Sequence, residues 1–178
     1  MKDSDMRPLL ADWAEVNIDN LIAIREEMPV GSTRIDMTMF STDIYGFEIK
    51  SDGDTLSRLQ NQCISYELIC DYSTVVITEK HKFKIMDAIP DSWGILLVKD
   101  KKLLQIRAPL KNKDTDILTL LHQNWKSEIL YRLGQKGIKG ISTQDKNTIV
   151  EAAQKVLSKK EIKEFTINNN LYKRVSKV

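Results

Sequence analysis

The segment S-T-V-V-I-T-E at residues 73–79 reads as one continuous apolar strand, without the in-and-out alternation of a half-exposed one. Strands of that kind are buried on both faces beside parallel neighbours, with helices covering the sheet, so an α/β fold is expected. The preceding segments agree. R-P-L-L-A-D-W-A-E-V at 7–16 reads as a short helix with Leu9, Leu10 and Trp13 on its apolar side. I-A-I-R-E-E-M at 22–28, T-R-I-D-M-T-M-F at 33–40 and I-Y-G-F-E-I-K at 44–50, parted by short turns, predict a three-strand meander. Ile35, Met37 and Met39 are expected on one face of the second strand, and Arg34, Asp36 and Thr38 on the other. In the third strand Ile44, Gly46, Glu48 and Lys50 share a face.

A helix is expected from near Asp54, placed to cap it, with Leu56, Leu59, Cys63, Tyr66 and Cys70 as its buried stripe. After the apolar strand come a short helical piece, K-F-K-I-M-D-A-I, the segment P-D-S-W-G, and a hairpin of G-I-L-L-V-K-D with K-L-L-Q-I-R. Beyond residue 108 the chain turns helical and basic. One helix is predicted over 116–133, packing through Leu120, Leu121, Trp125, Ile129 and Leu133 and stopped by Gly134. A second is expected over 144–157, and a third from Ser158, which forms a capping box with Glu161. Residues 1–108 therefore read as an α/β core and 109–178 as a basic helical lobe packed on it.

Charge divides along the same line. Residues 1–98 hold 9 Lys and Arg against 17 Asp and Glu, whereas residues 99–178 hold 18 against 8. An acidic half beside a basic half suits a protein that holds a cation in one part and grips a polyanion with the other. Solvated lysine-rich helices or charge-complementary self-association would give the same split. No stretch approaches the run of about 20 apolar residues that spans a bilayer, and M-K-D-S-D-M-R-P lacks the apolar region of a secretion signal, so a cytoplasmic protein without a membrane partner is expected. Cys63 and Cys70 read as reduced core residues; with His81 they match no common zinc spacing.

The tripeptide Glu-Ile-Lys occurs twice, and its two settings differ. Glu161 and Lys163 fall in a predicted helix, where residues two apart diverge by about 200°, and read as solvated surface. Glu48 and Lys50 fall on a strand and project from one face, about 7 Å apart. Asp36, mid-strand on the neighbouring strand, can stand beside Glu48. Mg²⁺, or Mn²⁺ in its place, takes oxygen ligands from one or two carboxylates plus water, which Asp36, Glu48 and the main-chain carbonyl of Ile49 could supply. A bound cation acidifies water and stabilises charge in phosphodiester hydrolysis, and Lys50 would orient that water or neutralise the developing charge. The plain alternative is a cross-strand salt bridge, with Lys50 balancing two acids.

The pattern I-D-M-T-M-F followed by G-F-E-I-K resembles the PD-(D/E)XK nuclease superfamily, with Ile35 where that motif has proline. The longer string E-I-K-S-D-G-D-T-L-S-R-L-Q-N-Q, with P-D-S-W-G, N-W-K-S-E-I-L and L-Y-K-R, is similar to a family of small stand-alone bacterial and phage proteins within it. The resemblance implies a restriction-endonuclease-like αβββαβ core with a mixed sheet, followed here by the basic helical lobe. It also implies a Mg-dependent deoxyribonuclease with Asp36, Glu48, Lys50 and Gln62 as catalytic residues. Gln62 and Tyr66 form the Q-x-x-x-Y seen in several branches, where the glutamine positions substrate or water; Tyr66 also lies on the apolar stripe. Glu15 is the candidate for the first-helix acid, with Glu27 on the first strand as the other acid nearby. Arg58 either meets phosphate or pairs with Asp54, and Trp93 reads as a packing residue.

Lys126, Lys136 and Lys139, with others of the basic lobe including Lys173 and Arg174, could bind a phosphate backbone without reading sequence. DNA is the expected partner, in a bacterial or phage-infected host, and a homodimer or protein partner is compatible. Two other classes fit the same residues: a nuclease-fold protein that binds nucleic acid without cutting it, and a phage protein that engages a host protein.

Overall fold

The computed structural model describes residues 1–172. Its elements are α1 (Asp3–Asn17), β1 (Ala23–Val30), β2 (Thr33–Phe40), β3 (Ile44–Lys50), α2 (Leu59–Glu67), β4 (Tyr72–Ile77), β5 (Gly94–Lys99), β6 (Lys102–Arg107), α3 (Ile117–His122), α4 (Lys126–Gln135), α5 (Lys146–Val156) and α6 (Lys159–Tyr172). The strands form one mixed sheet in chain order, antiparallel through β1, β2 and β3, parallel from β3 to β4 to β5, and antiparallel again at β6. The apolar segment becomes β4, flanked on both sides by parallel strands. The β5–β6 hairpin turns through Asp100 and Lys101, both at positive φ, the twist that a two-residue connection requires.

Burial on both faces explains the layering. On one face α1 lays Met6, Leu10 and Ala14 over Met37, Met39, Phe47, Ile49, Val76 and Leu96. On the other, Leu59, Cys63 and Tyr66 of α2 join Val75, Ile77, Ile95 and Leu97, and the same cluster takes in Leu120, Ile129, Val150 and Ile162 of the helical lobe. Core and lobe thus share one hydrophobic interior.

Ile35 departs from the expected alternation. It packs in the α2 cluster with Met28 and Val30, whereas Met37 and Met39 pack under α1. The reversal falls at Asp36 and at Glu27, the position opposite it between the Glu26–Met37 and Met28–Ile35 pairs. Glu27 has φ +51°, a left-handed conformation uncommon for a non-glycine residue, and it turns the strand face over at this point.

The helices differ from expectation where polar side chains compete for the backbone. Asp54 does not cap α2, which begins at Leu59; its carboxylate accepts from Ser51 N at 2.8 Å and Ser51 Oγ at 2.6 Å, holding 51–58 as a turn. The segment 82–89 makes turns, preceded by a single 3₁₀ turn at Glu79–His81. The helix predicted over 116–133 is two helices. Asn124 is fully buried and donates to the Leu120 carbonyl at 3.0 Å and to Thr166 Oγ1 at 2.9 Å, which ends α3. Trp125 is extended and 63% exposed, so it is not on the packing face. α4 runs past Gly134 and stops at Gly137, whose φ of +82° lets Ile138 N return to the Leu133 carbonyl at 3.0 Å. The Ser158–Glu161 capping box forms as expected.

Lys163 is not a solvated surface residue. Its ammonium pairs with Asp71 at 2.8 Å and with Asp43, joining α6 to the β2–β3 turn and the start of β4. Glu161 pairs with Lys136 at 2.6 Å.

Candidate functional site

The β2–β3 ladder has a constant register from Phe40–Ile44 to Met37–Phe47, and its next position is Asp36 opposite Glu48. There the ladder opens. The Asp36 carboxylate takes the place of a main-chain acceptor, with Oδ2 receiving Ile49 N at 2.7 Å. The N–H and C=O of one residue leave a strand on the same side, so the Ile49 carbonyl faces this opening too. Tyr66 fills the gap from α2: its hydroxyl accepts from Asp36 N at 3.1 Å and donates to Glu48 Oε2 at 2.5 Å. The ring meanwhile stays in the core, 5.1 Å from that of Trp93, which is buried as a packing residue. Tyr66 is therefore both a residue of the apolar stripe and a hydrogen-bond partner of Asp36 and Glu48.

Glu48 and Lys50 share the α2 face of β3, as the strand spacing requires, and both are buried. Lys50 Nζ donates to Glu48 Oε1 at 2.7 Å and to Gln62 Oε1 at 3.0 Å, and Gln62 Nε2 donates to Glu48 Oε1 at 2.5 Å. The end of β3 is fixed behind Lys50, where His81 Nε2 lies 2.9 Å from the Ser51 carbonyl. Asp36, Glu48, Lys50 and Gln62 are thus brought together, with the Ile49 main chain beside them.

Burial dominates the electrostatics of this patch. Burial, and next the charge of Glu48, push the Asp36 carboxyl up to about 7, although the Ile49 N–H and Arg7 pull it down. The Tyr66 phenol is raised well above its ordinary value by burial and by Glu48 and Asp36, which keeps it a donor.

Among the described residues no three His, Cys, Asp or Glu side chains are grouped to hold a metal ion. The donor set that remains is two carboxylates and a carbonyl. Lone pairs are left on it: each carboxylate oxygen accepts about two bonds, Asp36 Oδ1 has no partner among the described residues, and Glu48 Oε2 has only Tyr66. A hard divalent cation with several waters fits such a set and would relieve the raised Asp36.

The remaining predicted residues are distributed more widely. Glu15 is exposed on α1 and makes none of these contacts; Glu27 is the acid in register with Asp36. Arg58 is exposed just before α2, has no ion pair with Asp54 among the described residues, and lines a cleft of about 600 Å³ together with Asp36 and Gln62. Lys126, Lys136 and Lys139 do not line that cleft. Lys136 is engaged with Glu161, and Lys173 and Arg174 lie outside the described residues. Cys63 and Cys70 are free and buried; burial raises both thiols, Cys63 to about 12.

Two arginines were missed from the sequence. Arg7 of α1 donates to Glu27 at 2.6 Å, to Glu26 at 3.2 Å and to the Asp36 carbonyl at 2.9 Å, so it clamps the reversal in β1 and β2. Nothing local to residues 3–10 signals that long-range role. Arg34 lines the cleft, and its signal was legible: a basic residue two positions before Asp36, next to a turn.

Fold and site together define a mixed α/β protein whose sheet opens on a cluster of two acids, a lysine, a glutamine and a tyrosine, with Glu48, Lys50 and Tyr66 buried and Asp36 and Gln62 half-buried. Residues 9–177 match the family described as Bacteriophage P4 protein cII, and the chain belongs to that family. No curated protein matches the chain. A solved structure, the SPO1766 protein of unknown function from Silicibacter pomeroyi, is similar over 75% of this chain and 93% of its own, at 18% identity and a TM-score of 0.47. No helix among the described residues is long and apolar enough to cross a membrane.

Proposed function

We propose that the protein is a metal-dependent nuclease of the PD-(D/E)XK type that hydrolyses phosphodiester bonds in DNA. The observation that carries this reading is the opening of the sheet at Asp36 and Glu48, with Lys50 and Gln62 hydrogen-bonded to the same carboxylate. The element order, helix, three strands, helix, strand, is the one that superfamily's core would have. In this reading Asp36, Glu48 and the Ile49 carbonyl hold Mg²⁺ or Mn²⁺, which when bound supplies an acidified water and charge neutralisation. Lys50 orients the attacking water and offsets charge developing on the phosphate. Gln62 holds Glu48 and Lys50 in place and faces the strand to be cut. Tyr66 keeps the ladder open.

One observation favours a second reading, a nuclease-fold protein that binds nucleic acid without cutting. Glu48 already accepts from three protein donors, Lys50, Gln62 and Tyr66. Incubation with linear, circular, single-stranded and branched DNA in Mg²⁺ or Mn²⁺ separates the two. Cleavage of at least one form, abolished by a chelator, is expected. Binding without cleavage in either metal would replace the first reading by the second.

A further inference from the structure

Six arginines lie among the described residues, and four have partners: Arg7 with acids, Arg25 with Asn170, Arg107 with Asp91 and main-chain carbonyls, and Arg132 with Gln135. The guanidinium groups of Arg34 and Arg58 have none, both side chains are exposed, and both line the cleft that Asp36 and Gln62 enter. They come from different elements, Arg34 from the start of β2 and Arg58 from the residue before α2. Two planar, five-donor cations without a partner among the described residues, lining one cleft, suit phosphate oxygens, which accept from both arms of a guanidinium.

The rest of the lining narrows the ligand. Among the described residues no aromatic ring borders the cleft, so none of them holds a base there by stacking. Glu27, the other acid on its rim, is held at 2.6 Å by Arg7, a guanidinium it shares with Asp3 and Glu26, and makes no ion pair with Arg34 or Arg58 among the described residues. Asp36 and Glu48 repel an incoming anion until their charge is offset.

We infer that Arg34 and Arg58 grip the phosphodiester backbone of one nucleic-acid strand along the cleft that Asp36 and Gln62 enter, irrespective of base sequence. This deepens the nuclease reading by naming how substrate is held, and rests on it for the position of the strand.

The test is fluorescence anisotropy with labelled single-stranded and duplex oligonucleotides of two unrelated sequences, in chelator, over a range of salt. The protein carries Glu48→Gln, which lowers the repulsion without metal. Each of Arg34→Ala and Arg58→Ala is expected to weaken binding about tenfold at low salt. Together they should flatten the slope of log affinity against log salt by about 1.4 for a single strand, two phosphates at about 0.7 each. Lys139→Ala, exposed and outside the cleft, is the comparison and should give a smaller change. An unchanged slope in the double arginine variant would overturn the inference, as would the absence of salt-dependent binding before the arginines are changed. A protein that shows the arginine dependence but never cuts DNA in Mg²⁺ would instead defeat the nuclease reading and leave the cleft assignment standing.

Discussion

Tyr66 is the residue on which the site's geometry turns, because one hydroxyl satisfies Asp36 N and Glu48 Oε2 where the ladder has opened. Tyr66→Phe keeps the ring beside Trp93 and leaves both groups unpaired in a buried setting. A loss of about 1–3 kcal/mol is expected, read from chemical denaturation. Asp36 makes a prediction of opposite kind. The folded protein keeps its carboxyl proton up to about pH 7, whereas the ordinary value is 3.8, so folding takes up a proton between those values. Without metal, stability should therefore fall as pH rises from about 4 to about 7 and level off above. Asp36→Asn should flatten that part of the profile in thermal melts across pH. The pairing of Asp36 with Glu48 was legible because strand residues two apart share a face and a short turn fixes the register. The raised proton affinity was not, because it comes from burial under α2 and the neighbouring acid.

Among elements, the approach of α2 to β3 sets how far Tyr66 reaches. Gly46 permits it: a β-carbon there would lie 2.5 Å from Cys70 Sγ and 2.9 Å from Tyr66 Cδ1. Gly46→Ala should lift α2 from the sheet and cost about 1–3 kcal/mol of stability, with a drop in whatever activity the site supports. The strands were readable almost to the residue, since period-two patterning and short turns leave little freedom. The helix boundaries were not, because Asp54 and Asn124 are polar side chains whose backbone partners, Ser51 and Leu120, become visible only when the fold brings them to hand. The second Glu-Ile-Lys departs from its expected solvated setting for a related reason. A helical period says which face Lys163 occupies, not that Asp43 and Asp71 from the sheet will meet it. Lys163→Ala is expected to destabilise by about 1–3 kcal/mol. Lys160→Ala, whose side chain is 85% exposed, should be close to neutral.

At the scale of the whole molecule, the charge division between acidic core and basic lobe does not correspond to two cores. Leu120, Ile129, Val150 and Ile162 of the lobe belong to the cluster that holds Val75 and Tyr66. The protein should accordingly unfold in a single transition, with calorimetric and van't Hoff enthalpies in agreement; two separable transitions would show that lobe and core are independent. The α/β class was legible from one apolar strand, but the shared interior was not, since periodicity marks a helix's buried face without naming what covers it. Chemistry at Asp36 and Glu48 is tested most directly by the rate of Mg²⁺-dependent DNA cleavage by wild type, Glu48→Gln and Lys50→Ala, purified identically. Wild type should cut, and each variant should be slower by about 10²-fold or more; equal rates in all three, or no cleavage by wild type, would contradict the account.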